Sequence, residues 1–274
     1  MPEVVAESIR ENRQRSRDEY LVLFAAFEKL VDKWENDAER WDVMEDILSS
    51  RASFLIDRAI TGLRIDFDRA LEILRAHNDF VTERERQQRE ILVSAIENLV
   101  DFAAAEECAM MDELSQEIDM AIEEESDYEY IFTRYNGVGA AQENEDVLYA
   151  GAMAAWWLTV SAQTQITFMT MGDERVRPWH EEYEGYSYPK SQFPPELIPP
   201  IEWGCRCFLV ADGFESVMGD IFPKELPAAG NPIFRESLAT GGRIFSGEHP
   251  YFKKQLPPRA RKIADKIKQK FYTP

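Results

Sequence analysis

Cysteine is scarce in this chain of 274 residues: Cys108, Cys205 and Cys207 are the only three. That is too few for a disulfide scaffold and suits a reducing compartment. Proline is missing between Pro2 and Pro178, and the other thirteen of the fourteen lie from 178 to 274. Glycine agrees, with only Gly62 before Gly137. Without backbone breakers the first ~135 residues can run as helix. Long apolar runs are also lacking. The longest, Tyr149 to Val160, falls short of the ~18–20 residues that cross a bilayer. Met1 to Arg10 carries acids and no apolar core, so neither a membrane contact nor a signal peptide is expected. The chain has no Gly-Lys-Ser/Thr phosphate loop, no Gly-x-Ser-x-Gly elbow and no His-Glu-x-x-His, which leaves the case for an enzyme thin.

Positive charge is short as well. Against 51 acids stand 31 bases, a net charge of −20, which excludes a general nucleic-acid coat protein. The imbalance is local: residues 1–150 hold 37 acids and 16 bases, residues 151–274 hold 14 and 15. What is plentiful is core material, with 45% hydrophobic and 12% aromatic residues, enough for one large or two ordinary domains.

The amino half carries the helical period. Leu23, Phe27, Leu30 and Trp34 share one face. After a break near Asn36-Asp37 the rhythm resumes through Trp41, Met44, Leu48, Leu55, Ala59 and Leu63. A third stretch groups Phe67, Leu71 and Leu74 and ends near Asn78-Asp79, where the next helix can take its N-cap. That helix is polar from Thr82 to Glu90, then amphipathic through Leu92, Ile96, Leu99, Ala103, Met110, Leu114, Ile118 and Ile122. It could reach ~45 residues, roughly 65 Å. Between Asp101 and Glu129 it carries twelve acids and no Lys or Arg. This is either a solvated face or a docking surface for something basic.

Beyond Tyr135-Asn-Gly-Val-Gly139 one more helix bears Val147, Ala150 and Ala154 to Trp157. Gln163 to Thr170 then alternates as a half-buried strand, with Ile166 and Phe168 on one face. Residues 178–200 hold six prolines with Tyr183, Tyr186, Tyr188 and Phe193, an ordered loop held by aromatics. Glu202 to Val210 reads as a second strand. The fold class expected is α+β: a long-helix amino-terminal half followed by a smaller α+β domain with a few antiparallel strands. The domain boundaries expected are 1–130 (helical, assembly contacts), 131–250 (α+β) and 251–274 (tail).

One block concentrates chemistry. In an extended strand Asp173, Arg175 and Arg177 point to one side and Glu174 to the other, so a charged ladder is expected. Arg175→Ala or Arg177→Ala would then cost on the order of 2–4 kcal/mol. Cys205 and Cys207 face the same way, and with His180 they offer three soft ligands for Zn²⁺, Asp173 being a fourth candidate. Cys-x-Cys chelation on a flat strand is strained, so a packed Cys pair with a hydrogen-bonded His is the plainer reading, and a redox disulfide a third. His77 reads as a helix-surface histidine and His249 as a turn histidine.

The order and spacing of Asp173-Glu174-Arg175-x-Arg177, His180, Gly185 and Trp203-Gly-Cys205-Arg-Cys207 resemble the phage Mu F-like head morphogenesis family, over roughly residues 130–215. Gly204 stands where that family usually has Asn. Gly242 to Phe252 is similar more loosely. The resemblance implies a non-enzymatic minor head protein of a tailed phage or prophage, needing no cofactor, carried in a few copies inside the procapsid near the portal. It would be found in the virion, and in the host cytoplasm during assembly. Portal, capsid or scaffold proteins would be its partners, with self-association through the helical half and an effect on DNA packaging or delivery. The rival reading is a packaged effector enzyme, either ADP-ribosyltransferase-like or a Cys/His hydrolase, because toxins occur joined to such regions. Only about 60 residues follow the motif, too few for an ordinary separate domain.

The tail opposes the rest of the chain. Lys253, Lys254, Arg259, Arg261, Lys262, Lys266, Lys268 and Lys270 stand against one acid, Asp265. Pro257-Pro258 suits a helix start, and Ile263, Ile267 and Phe271 recur at four-residue steps. Three roles compete: docking on the acidic 101–129 helix of its own or a neighbouring chain, binding an acidic partner, or touching DNA. The apolar stripe favours a protein contact.

Overall fold

Asn36 begins the second helix a short turn after the first has ended. Its Oδ1 accepts the N–H groups of Ala38 and Glu39 at 3.1 and 3.3 Å, the usual N-cap device, and α1 (Glu3–Asp32) and α2 (Asp37–Leu63) pack together on either side of it. This is a computed structural model of the chain, and it describes residues 3–76, 79, 82–120, 128–212 and 230–273. His77, Asn78 and Ile122, singled out above, lie outside these residues.

Asp66 caps α3 (Phe67–Arg75). Its inner face is Ala70, Ile73 and Leu74, whereas Phe67 is exposed. Phe67 is the first helical residue, and its side chain leans back beyond the helix start rather than onto the core. α4 (Glu83–Met120) is 38 residues long. It starts later than the spacing suggested, because the Thr82 hydroxyl accepts the Glu85 N–H at 3.2 Å. A short α5 (Glu129–Thr133) leads through a π turn, kinked at Gly137, into α6 (Ala140–Trp157).

α6 crosses α2 at a glycine pair. A Cβ on Gly62 would lie 2.4 Å from the Leu148 carbonyl oxygen, and one on Gly151 would lie 2.6 Å from that of Ala59. Both distances are inside van der Waals contact, so the early glycine serves a backbone approach that no larger residue permits.

The carboxyl part holds β1 (Gln165–Met169), α7 (Pro178–Glu181), β2 (Ser187–Pro189) and β3 (Phe208–Asp212). β1 is central in an antiparallel sheet of order β2-β1-β3, with Ile166 opposite Tyr188 and Ala211, and Phe168 opposite Leu209. Ile166 and Phe168 are buried, as the alternation required. The chain is therefore α+β. Two strand boundaries differ from the sequence reading. β2 is three residues, too short to show a period. β3 begins at Phe208 and not Glu202, because Gly204 at φ +61° turns the chain just before it.

One cluster of buried apolar side chains runs from Leu23 to Ile267. Helices and sheet thus share a core. α8 (Pro258–Tyr272) closes the chain, burying Ala260, Ile263, Ala264 and Ile267 where it packs on α2, α3 and α4. No helix among the described residues is long and apolar enough to cross a membrane.

Candidate functional site

The strand that carries the motif stops early. After Met169 the chain passes through Gly172 at φ +62° into a turn, with the Val176 N–H bonded to the Asp173 carbonyl at 3.0 Å and the Arg175 N–H bonded to the Asp173 carboxylate at 3.1 Å. Residues 173–177 are thus not extended, and the expected Asp173–Arg175–Arg177 ladder does not form. Asp173 instead receives both ends of the Arg206 fork, at 2.7 and 2.6 Å, which holds its carboxyl below the usual range. Arg177 donates to the Trp203 carbonyl at 2.6 Å. Glu174 and Arg175 are exposed.

Pro178 starts α7 and turns the next residues inward. His180 is 2% exposed, its ring edge-on to Trp179 with centroids 4.0 Å apart. Gly185, at φ +80°, donates its N–H to the Phe168 carbonyl at 2.9 Å and returns the chain to the sheet. From the other side comes the 203–207 loop. Trp203 stacks on Phe245. The Gly204 N–H bonds the buried Asp146 carboxylate at 3.0 and 3.2 Å, and burial pushes that carboxyl well up. A left-handed residue is needed at 204, and glycine and asparagine enter that region most easily.

These two segments bring His180, Cys205 and Cys207 together, all buried, with one ligand atom of each within 4.8 Å of the others. His180 Nδ1 lies 3.2 Å from Cys207 Sγ. Burial works against a Cys205 thiolate, but hydrogen bonds from Cys207 and His180 outweigh it and hold that thiol well below its ordinary value. Its hydrogen-bond partner Cys207 is raised correspondingly, first by that bond and then by burial. His180 Nε2 has no partner among the described residues. Asp173, the fourth candidate ligand, is turned away onto Arg206. Beside the cluster lies a cavity of about 10 Å³, walled by Met171, Arg175, Arg177, His180, Arg206 and Cys207 among others. That is room for one water.

The remaining singled-out residues lie elsewhere. Cys108 is buried in α4 and pushed up to about 12, mainly by burial. His249 does cap a turn, accepting the Tyr251 N–H at 3.3 Å. It is also buried among Phe102, Trp203, Phe245 and Tyr251, and burial lowers it to about 4.

The tail is seated on its own chain. Lys268 reaches both Glu97 and Asp101 at 2.8 Å, Lys254 reaches Asp112 at 3.2 Å and Arg259 reaches Asp37 at 2.5 Å, while Lys266 pairs with Glu45. Lys253 pairs locally with Glu248. Ile263 and Ile267 are buried and Phe271 half-buried. Arg261, Lys262 and Lys270 are exposed and make no ion pair among the described residues. Of the acidic run, then, Asp101 and Asp112 meet the tail, and Glu113 meets Arg134.

Sequence reasoning missed a second polar centre. Arg51, fully buried, bonds Glu106 at 2.7 Å, Glu19 at 2.8 Å, Asn144 at 2.8 Å and Glu143 at 2.6 Å. Arg58 joins through Glu19 at 2.7 Å and Asn12 at 2.7 Å. Four helices, α1, α2, α4 and α6, meet in this network. Neighbouring Glu107 is pushed up to about 8, chiefly by burial and then by Glu106. Burial likewise raises Glu143. The signal was present: Arg51 and Arg58 stand seven apart on the α2 face that also carries Met44, Leu48 and Leu55.

No family model matches this chain, and no solved structure does. A curated match is an uncharacterized protein of Methanocaldococcus jannaschii, 44% identical over 43 residues. The match spans 16% of this chain and 7% of that protein, so it carries no functional argument.

Proposed function

We propose that the chain is a minor head protein of a tailed phage or prophage, similar to the Mu F-like head morphogenesis proteins, and that it acts by assembly and not by chemistry. The observation that carries this reading is that the residues of the resemblance touch one another. Asp173 pairs with Arg206, Arg177 with the Trp203 carbonyl, and His180 with Cys207. A pattern of separated residues that folds into one connected knot, with His180, Cys205 and Cys207 buried at its centre, is what a structural motif requires. The competing effector-enzyme reading needs an open site. His180 and Cys207 do approach as a dyad would, but they are buried, and the adjoining cavity of about 10 Å³ has no room for a substrate.

In this reading the helical half contacts portal, capsid or scaffold inside the procapsid, and the exposed Arg261, Lys262 and Lys270 are left to meet an acidic partner. Deleting the gene in its phage tests the proposal, with mass spectrometry and infectivity measured on purified particles. The expected result is a protein found in wild-type heads, and defective or non-infectious particles without it. Absence from wild-type heads together with normal heads on deletion contradicts it. Charge reversal of the exposed bases, Arg261→Glu with Lys262→Glu and Lys270→Glu, leaves the buried face of α8 intact and should weaken incorporation without changing duplex binding; lost DNA binding with retained incorporation reverses that assignment of the tail.

A further inference from the structure

The sheet that carries the knot is small: five, three and five residues. So small a sheet gains much from an added cross-link. Three soft ligands converge beside it. The two cysteines are free, and they and His180 come from segments 25 and 27 residues apart. In tetrahedral zinc, bonds of about 2.3 Å to sulfur and 2.0–2.1 Å to nitrogen put ligand atoms roughly 3.5–3.8 Å apart. The 3.2 Å between His180 Nδ1 and Cys207 Sγ is a few tenths of an ångström from that spacing, and the three ligand atoms all lie within 4.8 Å of one another.

The objection to Cys-x-Cys on a flat strand falls away. Residues 205–207 precede β3, and the left-handed Gly204 sets the loop that brings both sulfurs to one side. Charge is suitable as well. The Arg177 and Arg206 side chains line the cavity beside His180 and Cys207, where nearby cations favour thiolate ligands, and His180 adds an imidazole nitrogen. The cavity that His180 and Cys207 border has the volume of one water, which is what a fourth coordination position needs. Sulfur-rich tetrahedral sets of this kind select zinc over magnesium or calcium.

We infer that His180, Cys205 and Cys207 form a zinc site that ties α7 to the entry of β3, with its fourth position in the cavity beneath Arg177. This does not rest on the assembly reading above, since a zinc cross-link serves any function of the chain. Its test uses the full chain carrying no histidine tag, expressed with zinc in the medium and held in reductant. Elemental analysis is expected to find about one zinc per chain. Chelated protein titrated with cobalt should develop a near-ultraviolet thiolate-to-metal band and the strong visible bands of tetrahedral cobalt.

Cys205→Ser and Cys207→Ser should lose the thiolate band in part and zinc binding by tenfold or more, while Cys108→Ser keeps both. Where a variant fails to fold, the cobalt spectrum of the wild-type chain still decides. Wild-type protein with a helical circular dichroism spectrum, no zinc above background and no thiolate–cobalt band overturns the site. A thiolate band that persists in Cys205→Ser/Cys207→Ser overturns the ligand assignment.

Discussion

Arg51 and His180 are both almost wholly buried, 0% and 2% exposed, yet their surroundings differ in kind. Arg51 sits among full charges drawn from four helices, and every one of its nitrogens has an oxygen to face. His180 sits among thiols and aromatic rings at the edge of a short sheet, and one of its ring nitrogens has no partner among the described residues. The helical half thus encloses charges that need one another, whereas the sheet-bearing half encloses polarizable groups that tolerate one another and can hold a cation. Removing a member should accordingly be a global event in the first region and a local one in the second.

Arg51→Met breaks the comparison most severely. It strands Glu106 and Glu143 in the bundle interior and leaves Glu19 to Arg58 and Asn144, and the expected loss is about 3–5 kcal/mol, read as a fall in urea midpoint or as failure to accumulate soluble protein. Gly62→Ala follows, because its methyl group would meet backbone that cannot move aside. Overpacking at the α2–α6 crossing should cost about 1–3 kcal/mol.

Smaller effects sharpen the contrast in the second region. Arg177→Ala removes the clamp on the Trp203 carbonyl and should cost about 1–2 kcal/mol. Arg175→Ala changes an exposed side chain and should stay within about 0.5 kcal/mol. Equal losses at both positions would mean that the ladder of an extended strand exists after all.

A pH slope tests the helical region in a different way. Glu107 is held near 8 in the fold against about 4.5 unfolded, so the native state keeps a proton that the unfolded chain releases. Its contribution is complete below the unfolded value and is lost as pH rises through 8. Urea midpoints should fall between about pH 5 and 8 and level off above that, and Glu107→Gln, which is neutral throughout, should flatten that fall.

These outcomes also mark how far the sequence can be read. The long helices were legible because proline and glycine are scarce there and the apolar residues recur at helical steps. The β1 face was legible because Ile166 and Phe168 alternate with polar neighbours. His180, Cys205 and Cys207 were grouped because their order and spacing resemble a known pattern. The Asp173–Arg206 pair was not legible: it depends on Gly172 and Gly204 both adopting positive φ, and a backbone reversal changes which side chains share a side. Arg51 and Arg58 were passed over because a charged residue on a helix normally faces water. Only their place on the seam of Met44, Leu48 and Leu55 marks them as interior. The sequence marks the tail as basic and docking. That it docks as much on Asp37 and Glu45 of α2 as on the acidic part of α4 follows from helix packing, which spacing along the chain does not encode.

Native-state hydrogen exchange on the full chain and on Cys207→Ser tests the central claim, that the motif residues form a knot holding the carboxyl part, most directly. The account predicts that amides of β1 and β3 lose protection in the variant while those of α2 and α4 keep theirs. Unchanged protection in β1 and β3 would contradict it, because the cluster would then support nothing and its residues would have to be kept for some other task.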